Sequence, residues 1–121
     1  MRSLAIAGVL FAVAVASVNA AAEDGAGLFQ KYCGTCHSIE KAAPMRQGPP
    51  LYGVIGRKAG TVEGFKYSNG LKSAGWIWTP EKLDEWVAFP KRMVRDTFMM
   101  YRQGDPEVRR AIIAYIESQK G

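Results

Sequence analysis

Apolar residues along the chain fall into three short stretches of helical spacing, separated by long segments with no period. The first follows Asp24, a good helix cap: Leu28, Phe29 and Tyr32 lie on one face and predict a helix from about Gly25 to about Cys33. The second opens on Thr79 as cap, Pro80 in the first turn and Glu81 as a favourable early charge. Leu83, Trp86 and Val87 then form its apolar stripe, and Pro90 ends it. The third opens on Asp105 and Pro106 and carries Val108, Ile112, Tyr115 and Ile116 on one face. Residues 38–75, including "PMRQGPPLYGVIGRKAGTVEGFKYSNG", are dense in Gly and Pro, with at most a short helix near Asn69 to Ala74. "KRMVRDTFMMYRQG" reads as a second loop, and no strand alternation emerges. The expectation is an all-α protein with helices at both ends. Irregular stretches of this length are unusual in a compact domain unless they wrap something.

The N-terminal "MRSLAIAGVLFAVAVASVNAAAED" has a different character. One charge, Arg2, precedes an uncharged apolar run that ends in small residues. Val18-Asn19-Ala20 fits a small-x-Ala cleavage site and Ala22 offers another, the pattern of a secretory signal peptide. An uncleaved anchor is the rival, but the run is Ala-rich and barely long enough to span a bilayer. The expected organisation is therefore a cleavable leader over residues 1–20 and one domain over 21–121. Losing Arg2 leaves 15 Lys and Arg against 11 Asp and Glu, a formal charge of +4. Such a surplus suits an acidic partner surface or an anionic cofactor. It does not suit nucleic acid, because no Lys/Arg run with interleaved aromatics is present. A chain this short also buries a limited core by itself, which bound apolar surface would enlarge.

Both cysteines and the only histidine lie within "KYCGTCHSIE", as Cys33, Cys36 and His37. In an exported protein the plainest reading of Cys-x-x-Cys is a disulfide, structural or redox-active. A structural zinc site wants four Cys or His ligands and finds three. A thioredoxin-like dithiol wants a βαβ setting that the pattern lacks. A Cys-His nucleophile leaves the second cysteine without a role, and an iron–sulfur cluster lacks thiolates. Covalent attachment of a c-type haem accounts for all three residues. Two sulfurs two residues apart add to the two vinyl groups, and the adjoining neutral imidazole is placed to ligate iron. With no second histidine, the sixth position is open or filled by a weaker ligand such as a thioether. Met45, Met93, Met99 and Met100 are available, though any Met is by default core filler. Met45 lies close to the attachment turn and reaches the far side of an iron poorly, whereas the other three sit in the last loop.

Taken in order, these motifs resemble class I cytochrome c, in the branch of bacterial cytochrome c2 and mitochondrial cytochrome c. The resemblance rests on Gly25 and Phe29; Cys33, Cys36 and His37; "GPPLYGVIGRKAG"; "GFKYSNGLKSAGWIW"; Pro90 with "DTFMMY"; and "AIIAYI". It covers the whole chain after the leader and implies terminal helices packed together, with loops wrapping one covalently bound haem. It implies Met99 as the second axial ligand, with Met100 as runner-up. It gives the Pro49 carbonyl the role of holding His37, and it brings Arg57, Tyr67 and Trp78 to the haem propionates. Gly25, Phe29 and Tyr115 belong to the helix crossing. The chain departs from the family at Val94-Arg95-Asp96, where mitochondrial members usually have Ile-Pro-Gly. Trp86 stands where many members have a Tyr that bonds the Met sulfur, and Leu71 replaces a frequent Asn.

The function implied is a periplasmic one-electron carrier, not an enzyme. Its partners would be membrane quinol-oxidising complexes, terminal oxidases, reaction centres or periplasmic dehydrogenases. They would dock on a haem edge flanked by Lys31, Lys91, Arg92, Arg95 and Arg102. Two rivals remain at this point: a haem enzyme or gas sensor with an open sixth site, and a haem-free Cys-x-x-Cys redox protein.

Overall fold

A computed structural model describes residues 3–14 and 20–121. Val18 and Asn19 of the expected leader cleavage site lie outside the described residues. Residues 3–14 form no helix or strand, and Leu4, Ile6 and Leu10 among them are almost fully exposed. From Ala20 onward the protein is helical: α1 Ala20–Tyr32, α2 Asn69–Lys72, α3 Pro80–Ala88, α4 Pro90–Met93 and α5 Pro106–Ser118. Among the described residues no strand forms, and the one ladder contact is an isolated antiparallel bridge between Lys58 and Ile77.

Two helix starts follow the local sequence closely. Thr79 Oγ1 accepts the Lys82 backbone N–H at 3.1 Å, and an Asp105 carboxylate oxygen accepts that of Glu107 at 2.9 Å. Pro80 and Pro106 each sit in the first turn, where a missing N–H costs nothing. The first helix differs from expectation. Its described span already includes Ala20, so Asp24 lies inside the helix instead of capping it, and Ala20–Ala22 are strong helix formers. The loop after Pro90 also carries a helical turn that the sequence pattern did not reveal.

The terminal helices α1 and α5 cross. Gly25 permits the approach: a Cβ there would collide with the Ala111 carbonyl oxygen and stand 2.9 Å from Tyr115 Cβ. Phe29 and Ile112 are fully buried at the crossing, and the Phe29 ring packs 5.6 Å from that of Tyr115. Full burial of Phe29 contributes roughly 2–3 kcal/mol. Helix α3 packs on α5, and its Leu83, Trp86 and Val87 are buried. The segment after Leu51 is tied to the tryptophan strap by Gly56 N–H to Trp78 O and Ala59 N–H to Trp76 O, each 2.8 Å. Trp76, Trp78 and Trp86 then pack edge to face in sequence, 5.5 and 5.6 Å apart. Several members of this core cluster, among them Val54, Leu83, Val87 and Ile116, also line a central cavity.

Candidate haem site

The cavity has a volume of about 330 Å³ and is lined by residues from α1, α2, α3, α5 and the loops between them. Cys33, Cys36 and His37 enter it from the turn that follows α1, and Met99 enters from the loop between α4 and α5. Pro49, Arg57, Tyr67 and Trp78 also line it, so all eight candidate residues named from the sequence converge on one space.

The attachment turn is held by backbone. Cys33 and Gly34 both donate to the Phe29 carbonyl, at 2.7 and 2.8 Å, and His37 N–H reaches Cys33 O at 2.9 Å. Gly48 N–H closes the returning loop on Cys36 O at 2.7 Å. Arg46 adds a clamp from outside: its two Nη groups donate to the carbonyls of Gly34 and Thr35, the residues between the cysteines. No disulfide joins the two cysteines. Before any attachment, burial, aided by the neighbouring Cys36, pushes the Cys33 thiol up to about 11, so the unattached thiol is protonated at neutral pH.

His37 is fixed in position. Its Nδ1 donates to the Pro49 carbonyl at 2.8 Å, which leaves the Nε2 lone pair available. Gly48 lies against the ring so closely that any Cβ would strike the imidazole. Burial lowers the His37 pKa, the Pro49 hydrogen bond opposes this, and the Arg46 cation reinforces it. The net result is the neutral imidazole that a metal requires.

Met99 is held mainly through its side chain. The buried Trp86 indole donates its N–H to Met99 Sδ at 3.1 Å. Thr97 Oγ1 accepts the Met99 backbone N–H at 3.2 Å. Upstream, both Asp96 carboxylate oxygens accept the Gly70 N–H, at 3.2 and 3.0 Å, and tie this loop to α2. Met100 also borders the cavity but is 75% exposed and has no hydrogen bond like that of Met99 to Trp86.

The remaining wall is polar. Arg57 donates to the carbonyls of Pro50 and Tyr52, 2.7 Å each, and keeps its other N–H groups. Tyr67 Oη accepts the Val62 N–H at 3.1 Å. Burial lowers the Arg57 pKa and raises that of Tyr67, and each group partly offsets the shift of the other. Arg46 and Asp96, which brace the site from outside the cavity, and Tyr101, which lines it, were given no site role from the sequence, although Asp96 and Tyr101 lie in the quoted "DTFMMY". A basic or acidic residue in a loop carries no local sign of the distant carbonyl or amide it will meet.

The donor set fits a covalently attached haem. Two free thiols, a lone-pair imidazole, a thioether and a largely apolar lining share one space, with a guanidinium and a phenol on one wall. The family model for cytochrome c matches residues 22–120. The chain belongs to the cytochrome c family. It is 40% identical to cytochrome c2 of Blastochloris viridis over 111 residues, covering 89% of this chain and 87% of that one. It is 40% identical to cytochrome c2 of Rhodopila globiformis over 98 residues, 80% of this chain and 92% of that one. Cytochrome c of Euglena viridis is 41% identical over 100 residues, 82% and 97% of the two chains. As a cytochrome c, the protein has haem c as its cofactor and electron transfer as its general function. Its Cys33-x-x-Cys36-His37 is the attachment motif.

Proposed function

We propose that this cytochrome c is an exported, monomeric one-electron carrier of the periplasm, with His37 and Met99 as axial ligands and Cys33 and Cys36 as the thioether anchors. One observation carries the reading: His37 and Met99, distant in sequence, line the same cavity, and each is oriented by a specific hydrogen bond. When bound, the haem supplies a one-electron change at its iron. The chain does the rest. Pro49 fixes the imidazole and raises its basicity. Trp86 fixes the thioether, and the apolar lining excludes water and disfavours the more highly charged ferric form. Arg57, Tyr67 and Trp78 provide the cation and hydrogen-bond donors that buried propionates need.

The basic flank supports docking of acidic partners. Phe98 and Met100, 65% and 75% exposed, flank Met99 at the surface. Lys31, Lys91, Arg92, Arg95 and Arg102 are exposed around the attachment turn and this loop. Apolar contacts within a cationic rim suit a redox protein of opposite charge, such as a quinol-oxidising complex, terminal oxidase, reaction centre or dehydrogenase. No described helix is long and apolar enough to cross a membrane. The apolar segment 3–14 packs on nothing, which supports its role as a leader cleaved near Ala20 or Ala22.

The test is a potentiometric titration of the holoprotein, followed by exposure of the reduced form to carbon monoxide at neutral pH. A one-electron curve with sharp low-spin bands and negligible carbon monoxide binding is expected. Prompt carbon monoxide binding would instead mean an open sixth site and an enzyme or sensor. Electron transfer to an acidic partner should slow severalfold as salt rises from low to physiological strength. A flat rate would remove the basic flank from the account.

A further inference from the structure

The loop that carries Met99 is unevenly held. Asp96 anchors one end on Gly70. Gln103 anchors the other: its N–H donates to Val87 O at 2.8 Å, and its carbonyl accepts Arg109 Nη1 at 3.0 Å. Arg109 is itself fixed by Asp84 at 2.8 Å. Between these anchors, residues 98–102 make no backbone hydrogen bond to another element. Side chains alone hold that stretch. Besides the local Thr97 and Gln103 contacts, they include the Trp86–Met99 contact, the Arg102 guanidinium 5.0 Å over the Phe89 ring, and a stack of two tyrosines.

The stack joins the two halves of the site. Tyr32 is the last residue of α1, directly before Cys33, and Tyr101 lies two residues after Met99. Their rings lie 5.9 Å apart with only 22° between planes, and both line the cavity while remaining partly exposed. Each partner is braced. Lys31 Nζ sits 5.0 Å over the Tyr32 ring, and Gln103 Nε2 donates to Tyr101 Oη at 2.9 Å.

We propose that the Tyr32–Tyr101 stack is a catch at the cavity rim that pins the Met99 loop to the attachment helix, making Tyr32 a positioning residue for the sixth ligand. The inference rests on Met99 being that ligand. No hydrogen bond joins Tyr32 to Met99, whose sulfur is held by Trp86; Tyr32 acts by limiting how often the loop swings out. Its hydroxyl is not needed, since the contact is face to face.

The test measures carbon monoxide binding to the reduced holoprotein, which requires the loop to open. Binding should be roughly three- to tenfold faster in Tyr32→Ala than in wild type, the effect of losing one aromatic pair. Tyr32→Leu, which keeps apolar bulk, should behave alike, whereas Tyr32→Phe should match wild type. Tyr101→Ala should also be faster, and the double variant should be no faster than the single ones, because both remove the same contact. Rates for Tyr32→Ala and Tyr32→Leu within twofold of wild type, or additive effects of the two positions, overturn the catch. The far-red ferric band distinguishes the two readings. If wild type lacks it, or Met99→Ala keeps it, the ligand assignment fails and the catch with it. If the band is assigned to Met99 and the rates stay flat, the catch alone fails.

Discussion

The two walls that meet at the cavity are built differently. The attachment turn, Cys33 to Pro49, is fixed by backbone hydrogen bonds, by the Pro49 carbonyl on His37 and by a glycine pressed against the imidazole. The Met99 loop, Val94 to Gln103, is anchored at its ends and held in the middle by side chains alone. Backbone pairing over a contiguous turn leaves few ways to move, whereas a loop held by single side-chain contacts can open one contact at a time. Under the proposed ligation, the first wall would hold the cofactor permanently, and the second would set how firmly Met99 stays as an exchangeable ligand.

The comparison breaks most readily at Gly48. Gly48→Val would drive a side chain into the His37 ring and should cost about 3 kcal/mol, the upper end of overpacking penalties. Denaturant unfolding of the holoprotein measures it, and an unchanged midpoint would show that the first wall is not rigid. Asp96→Ala removes the anchor on Gly70 and should cost about 1 kcal/mol. Its signature is selective: carbon monoxide binding should speed up more than global stability falls. Trp86→Phe keeps the buried ring and deletes the N–H donor to Met99, an effect of about 0.5–1 kcal/mol. It should weaken the far-red band and shift the potential while leaving the unfolding midpoint nearly unchanged. Arg46→Ala is the smallest, about 0.5 kcal/mol, because its clamp on Gly34 and Thr35 is exposed and the backbone bonds beneath it persist. It should leave the sixth ligand untouched, as seen in an unaltered far-red band.

What was legible in the sequence follows the same division. Cys33, Cys36 and His37 lie within five residues, so the local motif, once its rival readings were set aside, pointed to haem attachment. The caps Thr79 and Asp105 act on amides two or three residues away, and the structure has them as expected. The all-α architecture followed from three amphipathic stripes, although α5 buries Ile113 as well as Ile112 and Ile116. The start of α1 was displaced because Asp24 suggested a cap, while Ala20–Ala22 carry the helix past it. A four-residue helix such as Pro90–Met93 is too short to show any period. The second wall was largely hidden. The contacts of Asp96 with Gly70 and Tyr32 with Tyr101 join segments far apart in the chain, and no local pattern announces them. The family resemblance selected Met99; the residues themselves offered four methionines.

The account turns on which thioether completes the site, and the far-red absorption band of the oxidised holoprotein reads that directly. Wild type and Met100→Ala should both show the band, and Met99→Ala should lose it. A band that survives Met99→Ala, or that disappears in Met100→Ala alone, would contradict the assignment of Met99.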